Sequence, residues 1–150
     1  MYWFFYFRIM STGMDLPWRL LLQILVRVLN LNAAKTACEN TGSMLAVVDP
    51  KEKQNGIATK LSGQNHWIGL YRDLEDTSRW LWVDWSRLCN GCGYWSAGEP
   101  NNYKGRFEGR GELWPSKSGL WNDESCSTKR HYICQKKGWF DSFVDRSARS

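Results

Sequence analysis

Five oxygen-bearing side chains late in the sequence carry its clearest chemistry: Glu99, Asn101, Glu108, Asn122 and Asp123. They supply three carboxylates and two amides, with no cysteine or histidine among them. Hard oxygen donors of this kind suit calcium, which takes about six to eight of them in flexible geometry. Glu99-Pro100-Asn101 taken alone is a weak metal signal and reads first as a polar loop facing water. The other candidates for chemistry are weaker. Cys89-Asn90-Gly91-Cys92 has the CxxC spacing of redox and zinc sites, but no second CxxC exists and no histidine lies near it in sequence. The two histidines, His66 and His131, form no Ser/His/Asp set. The expectation is therefore a binding protein and not an enzyme.

The elements that must hold these residues are read from pattern. Asn32 is placed to cap a helix over residues 33–39, with Gly42 as its stop. Residues 44–48 read as a short buried strand. Asp49-Pro50 opens a second helix running to about Leu61. Residues 66–71 and 80–84 read as strands, joined by a charged loop over residues 72–79. Two late strands are expected over residues 119–123 and 130–135. Between Asp84 and Gly119 the chain is dense in Gly, Asn, Ser and Pro. A loop of that length inside a compact domain is commonly functional.

Composition sets the frame. The 150 residues suffice for one domain with a real core, and 43% hydrophobic with 23% charged residues is ordinary for a globular chain. Ten Trp imply an aromatic core, an aromatic binding surface, or both. The net charge of +5 comes from scattered Lys and Arg, with no basic stripe interleaved with aromatics, so nucleic acid is not an expected partner. Five widely spaced cysteines at 38, 89, 92, 126 and 134 argue for cross-links in an oxidising compartment and leave at least one thiol unpaired in a monomer.

Taken in order, Trp67-Ile68-Gly69-Leu70, Glu99-Pro100-Asn101, Trp121-Asn122-Asp123, Cys126 and Tyr132-Ile133-Cys134 resemble the motif series of the C-type lectin-like family, and Cys38 in the first helix fits it. The resemblance implies an α+β fold with two helices, small antiparallel sheets and a long calcium-binding loop. It implies a Cys38–Cys134 disulfide and a cis Pro100. It implies that Glu99, Asn101, Glu108, Asn122 and Asp123 hold Ca2+ and, through it, the hydroxyls of a glycan or glycoprotein. The Glu-Pro-Asn order resembles members selecting mannose, N-acetylglucosamine or fucose, where Gln-Pro-Asp would suggest galactose. Trp67 and Gly69 are expected as packing residues, and Tyr94, Trp95 and Tyr103 as additional sugar contacts or structural aromatics. An extracellular protein, secreted or cell-surface, is implied. Oligomers would raise the avidity of a weak single site, though no heptad or collagen-like stretch is present.

The chain also departs from that pattern. Arg110 stands where the family carries a cysteine bonded to the equivalent of Cys126, so Cys126 is orphaned unless Cys89 or Cys92 takes it. A cation there is expected to sit beside the metal site. Trp85 follows Asp84 where a turn glycine is usual, which predicts a bulky residue at positive φ. Asn102 and Gly109 stand where a second calcium site would want acids. The domain is placed at residues 32–137, with a tail over 138–150. Residues 1–31 read equally as a signal, an anchor remnant or an atypical first strand. A module that keeps the fold and binds protein without sugar is the alternative.

Overall fold

The computed structural model describes residues 4–8, 21–49, 51–61 and 63–136. The expected tail over 138–150, Pro50, and residues 1–3 and 9–20 of the N-terminal segment lie outside the described residues. Two helices and eight strands follow in chain order. They are β1 (Phe4–Arg8), β2 (Leu21–Leu29), α1 (Leu31–Glu39), β3 (Ser43–Leu45), α2 (Lys51–Ala58), β4 (His66–Arg72), β5 (Trp80–Trp82), β6 (Arg110–Trp114), β7 (Leu120–Glu124) and β8 (Arg130–Lys136). The strands share one sheet in the order β1-β2-β8-β4-β6-β7, with β3 paired to β8 and β5 to β4. All pairings are antiparallel except β4 with β8, where Trp67 lies opposite Tyr132. This is the α+β arrangement with two helices that the resemblance implied.

The first helix starts two residues earlier than its sequence suggests. Asn30, not Asn32, is the N-cap, its Oδ1 accepting from the Ala33 amide at 2.9 Å. The earlier start brings Leu31 onto the face that buries Ala34 and Cys38, a spacing of three and then four residues. Cys38 bonds to Cys134 on β8 across 96 residues, as the resemblance implied. Closing a loop of that size contributes about 4–5 kcal/mol on the chain-entropy model.

The strand expected over 44–48 is Ser43–Leu45, and Ala46 and Val48 continue into the core as irregular chain. Likewise α2 ends at Ala58, and β5 is limited to Trp80–Trp82. Trp67 and Gly69 are core residues as expected. A Cβ at Gly69 would meet Val83 Cγ2 at 2.7 Å and the Leu45 carbonyl at 2.8 Å, so only glycine fits.

The long loop is not continuous. The sequence reading passed over β6, which pairs with both β4 and β7 and divides the segment. Gly111 lies opposite Asp123 and Glu112 opposite Asn122. This strand brings the two ends of the loop together. Below it an aromatic cluster supports the loop: Trp121 meets Trp82, Tyr94 and Trp95 edge to face with centroids 5.2–5.6 Å apart. Tyr94 and Trp95 are partly buried and pack against the core through Trp121.

Candidate functional site

The site is assembled from the loop before β6 and from β7. Gln54 of α2 fixes the entry to β7, its Nε2 donating to the Gly119 carbonyl at 2.5 Å and its Oε1 accepting from Trp121 Nε1 at 3.0 Å. Strand alternation then sends Asn122 and Asp123 to opposite faces. Asp123 is fully buried. Its Oδ1 accepts from the Asn101 amide at 2.9 Å, and its Oδ2 from the Asn102 amide at 3.1 Å and from Arg72 Nη2 at 3.1 Å. The turn after the cis Glu99–Pro100 bond is thereby wrapped around one carboxylate.

Glu108 closes the turn from its other end. Its Oε2 accepts from the Tyr103 amide at 2.8 Å, while its own amide donates to Asn102 Oδ1 at 3.0 Å. Asn102 adopts a left-handed φ of 48°, which asparagine tolerates better than most residues. Tyr103 is exposed on the rim.

Glu99 shares a side-chain hydrogen bond with Asp123 and leaves one oxygen unsatisfied. Its Oε2 is shut off from solvent and accepts no hydrogen bond. Burial, then the neighbouring Asp123, Glu108 and Glu112, push its carboxyl up to about 7. Burial also raises Glu108 above the usual carboxylate range. Three acids are held near one another, and one of their oxygens, Glu99 Oε2, has no donor, a state a cation would relieve. Among the described residues no three acid, histidine or cysteine groups are gathered as a finished metal cluster. Asp123 and Glu108 spend oxygens on backbone amides instead. The all-oxygen donor set and the unsatisfied Glu99 Oε2 have the chemistry a hard divalent cation would suit.

Asn122 is set apart from this group. Its Nδ2 donates to Glu112 Oε1 at 3.0 Å. Glu112 is fully buried and also accepts from Asn65, Trp114 and Arg130. An amide anchored through its nitrogen presents its oxygen away from that carboxylate, which is the orientation a metal ligand needs.

Three residues that act on the site were missed in the sequence. Arg72 was assigned to the charged loop over 72–79 but is the buried last residue of β4, on the same alternating face as Ile68 and Leu70. That period of two was the available signal. Glu112 and Asn102 gave none, because their roles depend on contacts across β6 and the turn.

The departures from the family pattern resolve as follows. Cys89 and Cys92 are bonded to each other, so neither pairs with Cys126, which is an exposed free thiol. Trp85 does adopt positive φ, at 70°, and is 80% exposed. Arg110 is not turned towards the acids. Its guanidinium lies 5.6 Å from the Tyr71 ring centroid and donates to the Gly109 carbonyl.

Comparison with known proteins agrees with this architecture. The family model "Lectin C-type domain" matches residues 27–136, and the chain belongs to that family. Hepatic lectin of Gallus gallus is 36% identical over 103 residues, which is 69% of this chain and 48% of that protein. The chain thus spans about half the length of that relative. Among solved structures, the mouse scavenger receptor C-type lectin carbohydrate-recognition domain superposes with a TM-score of 0.70 at 29% identity, covering 85% of this chain and 92% of that one. The cow CD23 carbohydrate-recognition domain, solved in the presence of a GlcNAc2Man3 oligosaccharide, gives 0.69 at 27% identity, covering 78% and 87%.

Proposed function

We propose that the protein is a calcium-dependent lectin with preference for mannose, N-acetylglucosamine or fucose-type sugars. The observation that carries this reading is Glu99 Oε2, shut off from solvent and without a donor beside Asp123, Glu108 and Glu112. Glu99, Asn101, Glu108, Asn122 and Asp123 are the proposed ligands. These residues would hold the ion, which would supply a Lewis-acid contact for two neighbouring sugar hydroxyls. Glu99 and Glu108 would accept hydrogen bonds from those hydroxyls, and the side-chain amides of Asn101 and Asn122 would donate to the hydroxyl oxygens. Glu112, by holding one Asn122 N–H, sets the direction of that amide.

The Cys38–Cys134 and Cys89–Cys92 disulfides support an extracellular setting. Among the described residues no helix is long and apolar enough to cross a membrane. Glycans or glycoproteins are the proposed partners, and a single exposed site gains useful avidity only when several domains act together. A protein-binding role without sugar is the second reading, favoured by the exposed Trp85, Tyr103 and Phe107.

Retention on immobilised mannose in calcium, with release by chelator, tests the first reading. Glu99→Gln with Asn101→Asp is then expected to move preference towards galactose. Failure of folded protein to bind mannose, fucose or N-acetylglucosamine would sink the sugar reading and favour the second.

A further inference from the structure

The acid cluster contains a cation of its own. Arg72 is 8% exposed and fixed on three sides. Its Nη1 donates to the Thr77 carbonyl at 2.8 Å, its guanidinium lies 4.5 Å from the Trp80 ring centroid, and its Nη2 pairs with Asp123 Oδ2 at 3.1 Å. The planar fork of arginine serves these contacts together, where a lysine ammonium would serve one or two. Asp123 in turn holds the Asn101 and Asn102 amides, the two residues that follow Glu99-Pro100. The arrangement therefore runs from a strand of the rigid sheet, through one buried ion pair, to the turn that carries the proposed calcium ligands.

We propose that Arg72 is a positioning residue, a fixed counter-cation to Asp123 that keeps the 99–108 turn folded when calcium is absent. It rests on the calcium reading only in naming what the turn is kept ready for. Without a cation, Asp123 would be a fully buried carboxylate beside Glu99 and Glu108, and like charges at that separation drive a loop apart. With Arg72 in place, the Asp123 oxygens are compensated and the loop amides stay bonded to them. The ion then meets a preorganised turn and does not have to order it. Arg110, two residues after Glu108, faces Tyr71 and takes no part.

The test is amide hydrogen exchange, read residue by residue by NMR, on the full chain in chelator and in saturating calcium. The Asn101 and Asn102 amides report the turn, and the Gly69 amide, bonded to the Ala46 carbonyl within the core, reports the sheet. In wild type, Asn101 and Asn102 are expected to be protected in chelator. In Arg72→Gln they should exchange at least tenfold faster in chelator, return towards wild type with calcium, and leave Gly69 unchanged. Exchange within twofold of wild type in chelator would overturn the proposal. So would equal acceleration at Gly69, or acceleration that calcium does not reverse in a variant that still binds the ion, since either marks a merely structural arginine. Arg72→Lys, which keeps the charge, should keep most of the protection; tenfold loss there overturns the charge argument, and this variant decides the matter if Arg72→Gln does not fold. Calorimetric titration of wild type with calcium is read separately. If no ion binds, the calcium reading fails, and the brace is judged on the chelated comparison alone.

Discussion

Acidification should weaken calcium binding far more steeply than ordinary carboxylates would. Glu99 ordinarily ionises near 4.5, but burial and the adjacent Asp123 push it to about 7 in the metal-free fold. A ligand carboxyl must lose its proton before it can hold the ion, so apparent affinity follows its ionised fraction. With a pKa of about 7 that fraction is about one half at pH 7 and about one hundredth at pH 5, a loss of about 50-fold or about 2 kcal/mol. An unshifted glutamate would change affinity less than about twofold over the same range. Glu108, also raised by burial, acts in the same direction.

The effect on stability has the opposite sign for the two states. A raised carboxyl pKa favours the protonated fold, so Glu99 contributes stability below about 4.5 that is lost as pH rises through about 7. The Glu99 contribution therefore favours the metal-free fold as pH falls while calcium is lost from the loaded one, so the melting temperatures with and without calcium should converge. Calorimetric titration of calcium at pH 7.5, 6.5, 5.5 and 5.0, at constant ionic strength, measures the affinity directly. A change of less than threefold between pH 7 and 5 would refute the assignment of Glu99 as a ligand with a raised pKa.

Two further outcomes follow from the same geometry. Arg110→Cys places a thiol close to the exposed Cys126, whose proximity already acts on the Arg110 guanidinium. A disulfide closing about 15 residues adds about 3 kcal/mol on the chain-entropy model, so melting should rise by on the order of 10 °C and fall back with reductant. No free-thiol loss and no rise would show that the strand ends do not meet. His66 is held at about 4 by burial first and by His131 second, 5.2 Å away between ring centroids. A depressed histidine contributes stability above about 6.5 that is lost as pH falls towards 4, about 2 kcal/mol between pH 6.5 and 4.5. His66→Phe should flatten that part of the denaturation-versus-pH curve, and an unchanged slope would refute it.

Much of the fold was legible because it is carried by local signals. The buried run of β4 is marked by residue type and spacing, whereas the core place of Gly69 and the pairing of Cys38 with Cys134 came only from the resemblance to the C-type lectin-like family. What escaped depends on contacts made across the sheet. Arg110-Gly111-Glu112-Leu113-Trp114 carries two charges and a glycine and lacks any β-branched residue, so nothing local marks it as a strand. It becomes one because β4 and β7 pair with it on either side. Glu112 in its centre survives full burial only because Asn65, Trp114, Asn122 and Arg130 all donate to it.

The same pairing answers the electrostatic objection raised by Arg110. Tyr71 lies opposite Arg110 across β4 and β6, and Gly111 lies opposite Asp123 across β6 and β7. Alternation therefore puts Arg110 on the Tyr71 face, with Trp85 set edge to face against the same ring at 6.3 Å. The two departures from the family pattern converge on one tyrosine, on the side of the sheet away from Asp123. The cation that does reach the acids is Arg72, one residue further along β4 and on the opposite face. A sequence shows that an arginine stands near a carboxylate cluster. Strand register decides which arginine it is, and here the one that arrives is bound into the site instead of opposing it.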